Sequence, residues 1–190
     1  MPRAPDFWDS WYSLKAHISV AETFAPFFAA ADTQAYPTYP DLDMLPLGDI
    51  IHQQRLSPTL FLPQEQRLLM TLWCFCGAPL IMGGDLPPSN NATLELLTNP
   101  RLLAVHGEAS GRRVLQGAGG AEVHAWGAIP SGAPKDAYLA LLNAADVAQN
   151  VTLPLASMPW LARGGGGFAP QSCGRARLWG PLPAASFLQS

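Results

Sequence analysis

The sequence predicts an α/β chain in two parts: βα units of a parallel sheet or barrel over residues 8–106, then a small antiparallel β domain. Two observations predict it. Up to residue 106, apolar runs with helical and strand spacing alternate. After about residue 112, short β-type runs follow one another between Gly and Pro turns. Composition agrees with a loop-rich globular chain. Gly (17) and Pro (19) are abundant among the 190 residues, and 48 % of residues are apolar, which argues against disorder as a description of the whole.

The elements follow in order. Trp11, Leu14, Ile18 and Ala21 recur at three- and four-residue steps, one face of a helix with Asp9 or Ser10 as N-cap. Pro26 is expected to end it. The loop Ala35-Tyr-Pro-Thr-Tyr-Pro40 leads into Asp41-Leu-Asp-Met-Leu-Pro-Leu-Gly48, a strand-like run on which Asp41 and Asp43 would share a face. A helix opens at Pro63, with Pro at the first helical position and Glu65 in the first turn. Its N-cap would be Leu62, a poor one. Leu68, Leu69, Leu72 and Phe75 or Cys76 form its stripe. Ala78–Met82 reads as a buried strand ending in Gly83-Gly84-Asp85. A helix from about Asn91 to Leu97, capped by Asn90 or Asn91, is interrupted at Asn99-Pro100, and another turn spans Leu102 to Val105. Val114-Leu115, Val123 to Ile129, Tyr138 to Leu142 and Val151 to Leu155 are the later β runs. Gly164–Gly167 reads as a flexible tract.

Charge and cysteine usage exclude several functions. Net charge is −3, and residues 1–50 hold seven acids against Arg3 and Lys15. An acidic first quarter without a basic cluster argues against a nucleic-acid or anionic-membrane partner and suits a carboxylate site for a neutral substrate. Cys74, Cys76 and Cys173 fit neither a disulfide scaffold nor a zinc motif and read as buried thiols. His17, His52, His106 and His124 lack metal-ligand spacing. Neither a metal nor a cofactor is expected. Leu68 to Gly84 is uncharged but broken by Gly and Pro, so it reads as helix plus strand rather than a membrane span. The first residues lack the basic-then-apolar order of a secretory signal.

Several pieces in order carry a family resemblance. They are Asp6-Phe-Trp-Asp-Ser-Trp11 with Leu14-Lys15, Asp41-Leu-Asp-Met-Leu-Pro-Leu-Gly48, and Glu65-Gln-Arg67 with Thr71-Leu-Trp73. Ala78-Pro-Leu-Ile-Met-Gly-Gly-Asp-Leu86, Leu96-Leu-Thr-Asn99 and Leu103-Ala-Val105 follow. Over residues 5–106 the chain resembles the α-galactosidases of glycoside hydrolase family twenty-seven. The resemblance implies the C-terminal part of a (β/α)8 barrel over residues 1–110, then an antiparallel β-sandwich over 111–160 and a Gly/Pro-rich tail over 161–190. It also implies a galactoside or oligosaccharide as partner, and a secreted or lysosomal/vacuolar compartment if the full-length protein carries a signal peptide.

Retaining glycosidases use two carboxyl groups about 5–5.5 Å apart, one as nucleophile and one as acid and base. The resemblance matches Asp6 to the family's acid/base. A plainer reading of Asp6 is a polar residue capping the following helix. A general acid must hold its proton, and Phe7, Trp8 and Trp11 could supply the apolar surroundings this needs. The family's Arg four residues before the acid/base falls at Pro2, with Arg3 one place off. Asp43 and Met44 match the Asp-Met that borders the sugar pocket. Their plainer readings are an Asp accepting backbone N–H bonds and a core-filling Met. Asp41 would orient them, and Tyr39 stands where the family has a ring that stacks on the sugar. Asp85 would touch the pocket rim or cap the next helix. The family's nucleophile, an Asp at the end of strand four, has no counterpart here. The chain is therefore expected to be inactive alone. The competing expectation is a non-catalytic carbohydrate-binding or interaction module of the same fold.

Overall fold

The computed structural model describes residues 5–31, 39–52, 54–115, 120–130 and 137–153. The expected tail over 161–190, Cys173, Pro2, Arg3 and most of the Ala35–Pro40 loop lie outside the described residues. Four helices and five strands are described: α1 (Trp11–Ala31), β1 (Asp49–His52), β2 (Arg55–Pro58), α2 (Pro63–Cys76), α3 (Asn91–Leu97), α4 (Pro100–Glu108), β3 (Ala109–Leu115), β4 (Val123–Pro130) and β5 (Tyr138–Asn143).

Ser10, not Asp9, caps α1. Its Oγ accepts from Ser13 N at 3.2 Å and its carbonyl from Leu14 N at 3.0 Å. Leu14, Ile18, Ala21 and Ala25 are buried as one stripe. Pro26 does not end the helix, which continues to Ala31. A proline removes one N–H donor. Contacts from β4 and its approach hold α1 up to that turn, Glu22 Oε1 to His124 Nδ1 at 2.8 Å and Lys15 Nζ to Glu122 Oε1 at 2.6 Å.

α2 begins at Pro63 as expected. Glu65 Oε2 accepts from Leu62 N at 2.7 Å and so repairs the poor cap. The helix closes on Gly77 at φ +70°, whose N–H and that of Ala78 reach Cys74 O and Trp73 O. Its second half is buried all round, from Leu72 to Cys76, because helices pack on one side and the sheet on the other. Asn90 caps α3 through Thr93 N at 2.9 Å, and Asn99 caps α4 through Arg101 N and Leu102 N. Asp85 therefore does not cap α3. α4 runs further than the single turn expected.

The two strand-like runs meet, but as a single bridge. Leu45 pairs with Met82 in parallel, Leu45 N donating to Ile81 O at 2.7 Å and Gly83 N to Leu45 O at 2.9 Å. A longer ladder is prevented by Asp43 at φ +72°, by Pro46, which has no N–H, and by Gly48 at φ +69°. Asp41 and Asp43 thus do not share a strand face. The Ala78–Met82 run is buried only at Ala78, with Ile81 53 % exposed. Between the two runs lie the β1–β2 hairpin, absent from the sequence reading, and α2, so the chain passes strand, helix, strand with parallel pairing.

β3, β4 and β5 form an antiparallel sheet in that order, with a bulge between Ser110 and Arg113 where Gly111 takes φ +58°. Trp126, Ala128, Ala140 and Leu142 join the core of α1 and α2. Ala125, Leu139 and Leu141 belong to a second cluster with Val151 and Leu153. Both faces of the sheet are therefore covered. Residues 151–153 make no strand, and 154–155 lie outside the described residues. Arg112 ties the sheet to α4 by donating to Val105 O and His106 O at 3.0 and 2.7 Å. No described helix is long and apolar enough to cross a membrane.

Candidate functional site

The site is built where the segment before α1 meets the segment before the Leu45–Met82 bridge. Phe7 is the anchor. Its ring is buried, with centroids 5.0 Å from Trp73, 5.8 Å from Phe61 and 4.5 Å from the ring of His17. Its N–H donates to Asp43 Oδ2 at 2.9 Å. This bond brings the neighbour of Asp6 against Asp43 across 36 positions.

Asp43 is held from several sides. Its Oδ1 accepts from Met44 N at 2.7 Å, its N–H donates to Asp41 Oδ1 at 3.1 Å, and its carbonyl accepts from Trp73 Nε1 at 3.3 Å. Asp tolerates the left-handed backbone better than most side chains do. The turn aims Met44 outward, 49 % exposed, so Met44 does not fill the core. Asp41 is exposed, and its Oδ1 is the acceptor for the Asp43 N–H. Tyr39 is 45 % exposed. Asp6 is exposed too. Of the aromatic groups expected to surround it, Phe7 is committed to the core, Trp8 is 69 % exposed and Trp11 is half-buried against the core. Asp85 N donates to Asp49 O at 2.7 Å and Asp85 O accepts from Ser89 Oγ.

The structure thus brings the segment of Asp6 against the segment of Asp41, Asp43 and Met44, the two joined by the bond from Phe7 N to Asp43 Oδ2. It also shows two residues that sequence reasoning left out. Asp9, read only as a cap, is 5 % exposed; its Oδ2 accepts from Leu60 N at 2.7 Å and lies 3.1 Å from His52 Nε2, in ion-pair range without hydrogen-bond geometry. Its partner lies 51 positions away, so no local pattern could announce it. His17 is fully buried, with Nδ1 2.9 Å from Ser13 O and Nε2 3.1 Å from Pro5 O. A polar residue within the apolar stripe of α1 was its one signal. Among the described residues, no group of three or more His, Cys, Asp or Glu is placed to hold a metal ion.

No family model and no curated protein matches the chain. Solved structures do. A family twenty-seven β-L-arabinopyranosidase from Geobacillus stearothermophilus matches with a TM-score of 0.71 at 28 % identity, over 83 % of this chain and 35 % of that one. A variant of that enzyme in complex with arabinose matches equally well. A candidate α-N-acetylgalactosaminidase from Bacillus halodurans matches at TM-score 0.61 and 30 % identity, over 73 % of this chain and 31 % of that one. A candidate α-galactosidase from Bacteroides fragilis, at TM-score 0.57 and 20 % identity over 74 % and 30 % of the two chains, speaks for the fold alone. The chain spans about a third of the length of these structures.

Proposed function

We propose that this chain, whose fold is part of the fold of the family twenty-seven glycoside hydrolases, is the acid/base-bearing C-terminal part of a retaining α-galactosidase. Its residues 1–110 would be the last βα units of a (β/α)8 barrel, 111–160 a β-sandwich and 161–190 a tail. The parallel Leu45–Met82 contact with α2 between its strands supports the first division, and the sheet with two apolar faces supports the second.

Asp6 donates a proton to the glycosidic oxygen as the bond to the anomeric carbon breaks, and then takes a proton from the attacking water. Asp43 and Asp41 fix the turn that presents Met44, and these residues with Tyr39 border the sugar, Tyr39 stacking on its apolar face. The nucleophile, an Asp that forms the glycosyl-enzyme bond, comes from the rest of the fold. That same part covers Asp6, which this chain leaves exposed, and so supplies the apolar surroundings a general acid needs. No cofactor takes part.

The bond from Phe7 N to Asp43 Oδ2 carries this reading, because it joins the acid/base segment to the sugar-bordering turn. α-Galactosides are the substrate class. N-acetylgalactosaminides and β-L-arabinopyranosides are sugars that family neighbours are named for, and they differ at C2 or C5. The test pairs this chain with the N-terminal two thirds of a family twenty-seven enzyme as a second polypeptide. The assembled pair is expected to hydrolyse p-nitrophenyl α-galactoside with retention, and Asp6→Asn to lose roughly 10²–10⁴-fold in rate, the usual worth of general acid–base catalysis. An assembled pair that is inactive, or that is indifferent to Asp6→Asn, overturns the assignment. Galactose binding by the assembled pair without turnover would favour the non-catalytic module.

A further inference from the structure

Two backbone contacts straddle Asp6. After it, Phe7 N donates to Asp43 Oδ2 at 2.9 Å. Before it, the Pro5 carbonyl lies 3.1 Å from His17 Nε2. His17 itself cannot drift. It is 0 % exposed, its ring lies 15° from the plane of Trp73 at 6.1 Å, and it tilts against Phe7 at 4.5 Å. We infer that His17 is a positioning residue: its Nε2–H donates to the Pro5 carbonyl and, together with Asp43, clamps the backbone of Asp6 from both sides. The functional meaning of the clamp rests on Asp6 being the acid/base, but the clamp itself does not.

The hydrogen-bond inventory assigns the proton. Both ring nitrogens face carbonyl oxygens, which only accept, and a neutral imidazole has one N–H. Ser13 O already has a donor in the helix, the N–H of His17 four residues on. Pro5 O lies outside any helix and, among the described residues, meets no other donor. The ring is fully buried, so its one N–H needs an acceptor; Ser13 O is already used in the helix and Pro5 O is not, which assigns the proton to Nε2. The consequence is geometric. With the peptide before Asp6 fixed by α1 and the peptide after it fixed by Asp43, the carboxyl of Asp6 leaves the backbone in a set direction. Catalytic groups need such support, because small misplacements lower rates steeply.

Two substitutions separate the donor from the ring. His17→Gln keeps an amide donor near the place of Nε2 and loses the stacked ring. His17→Phe keeps a ring between Phe7 and Trp73 and loses the donor. The readout is amide hydrogen exchange at Phe7, whose bond to Asp43 requires the segment to stay in place. We expect exchange in His17→Phe to be faster by about tenfold, the scale of one lost hydrogen bond, and His17→Gln to stay close to the unchanged protein. The reverse order, equal rates in all three proteins, or equal acceleration in both variants overturns the clamp. Should either variant fail to fold, nitrogen-15 correlations of the His17 ring in the unchanged protein decide: a proton on Nε2 is expected, and a bare Nε2 overturns the inference. Neither readout involves a sugar. A chain that binds no galactoside yet shows the expected order keeps the clamp and loses the role given to Asp6.

Discussion

At Asp43 a left-handed backbone and a fully used carboxylate coincide. Its φ is +72°, and its two oxygens accept from Phe7 N and Met44 N. Asp43→Ala removes both bonds and keeps the strain, so it is expected to destabilise by about 2–4 kcal/mol, whereas Asp43→Asn keeps one of the two acceptor oxygens and tolerates the backbone, and should lose about half as much. Urea unfolding of the two variants checks the order. Cys76 is a second residue with a measurable consequence. Burial pushes its thiol well above the ordinary 9.0, so the folded chain keeps a proton that the unfolded chain releases. Stability is therefore unaffected by this thiol at lower pH and falls as pH rises through the unfolded value, at up to about 1.4 kcal/mol per pH unit. Cys76→Ala is expected to remove that slope in unfolding measured between about pH 8 and 10. At this scale the sequence was only partly legible. The candidate residues were visible as types in a pattern, and the burial of Cys76 was expected. The left-handed turn at Asp43 was not, because it depends on Phe7, Trp73 and Asp41 arriving together.

Among the elements, the helices were the legible part. Asn90 and Pro63 act within a few positions of themselves, so these helix starts followed from local chemistry, whereas the Asn99 cap was read only as an interruption. Pro26 misleads for the opposite reason: contacts from β4, far along the chain, outweigh its local preference. Beside the short parallel bridge, where Asp49 and Asp85 pair antiparallel, the two segments approach closely at Gly84. A Cβ there would overlap the carbonyl oxygen of Leu47 and lie 2.9 Å from that of Asp49. Backbone cannot yield as a flexible side chain does. Gly84→Ala is thus expected to destabilise by more than about 3 kcal/mol, beyond the common range for single substitutions, while Gly107→Ala, which meets nothing within 4 Å, should be neutral or mildly stabilising as a helical Gly replacement. Thermal unfolding of the pair separates the two cases.

Over the whole molecule, the helices and the β3–β5 sheet share one core, with Trp126 and Leu142 packed into the cluster that holds Leu14, Leu69 and Trp73. The antiparallel strands of the later part were readable because the periodicity changes near residue 112. The merging of the two cores was not, since periodicity names a buried face but not what covers it. Tyr39, Met44 and Ile81 stay about half exposed along the segments that carry the site. The chain spans about a third of the structures it matches, and on the function proposed above these are the surfaces that the sugar and the remaining fold would cover. The chain alone is accordingly expected to show no turnover of p-nitrophenyl α-galactoside.

The central claim, that the Asp6–Asp43 junction is one side of a galactoside site, is tested most directly by titrating the chain with galactose and following backbone amide shifts. The account predicts weak, saturable shifts centred on Phe7, Asp43 and Met44, with glucose giving none and Met44→Ala weakening the response. Shifts that are absent at those amides, or that glucose reproduces, would contradict it.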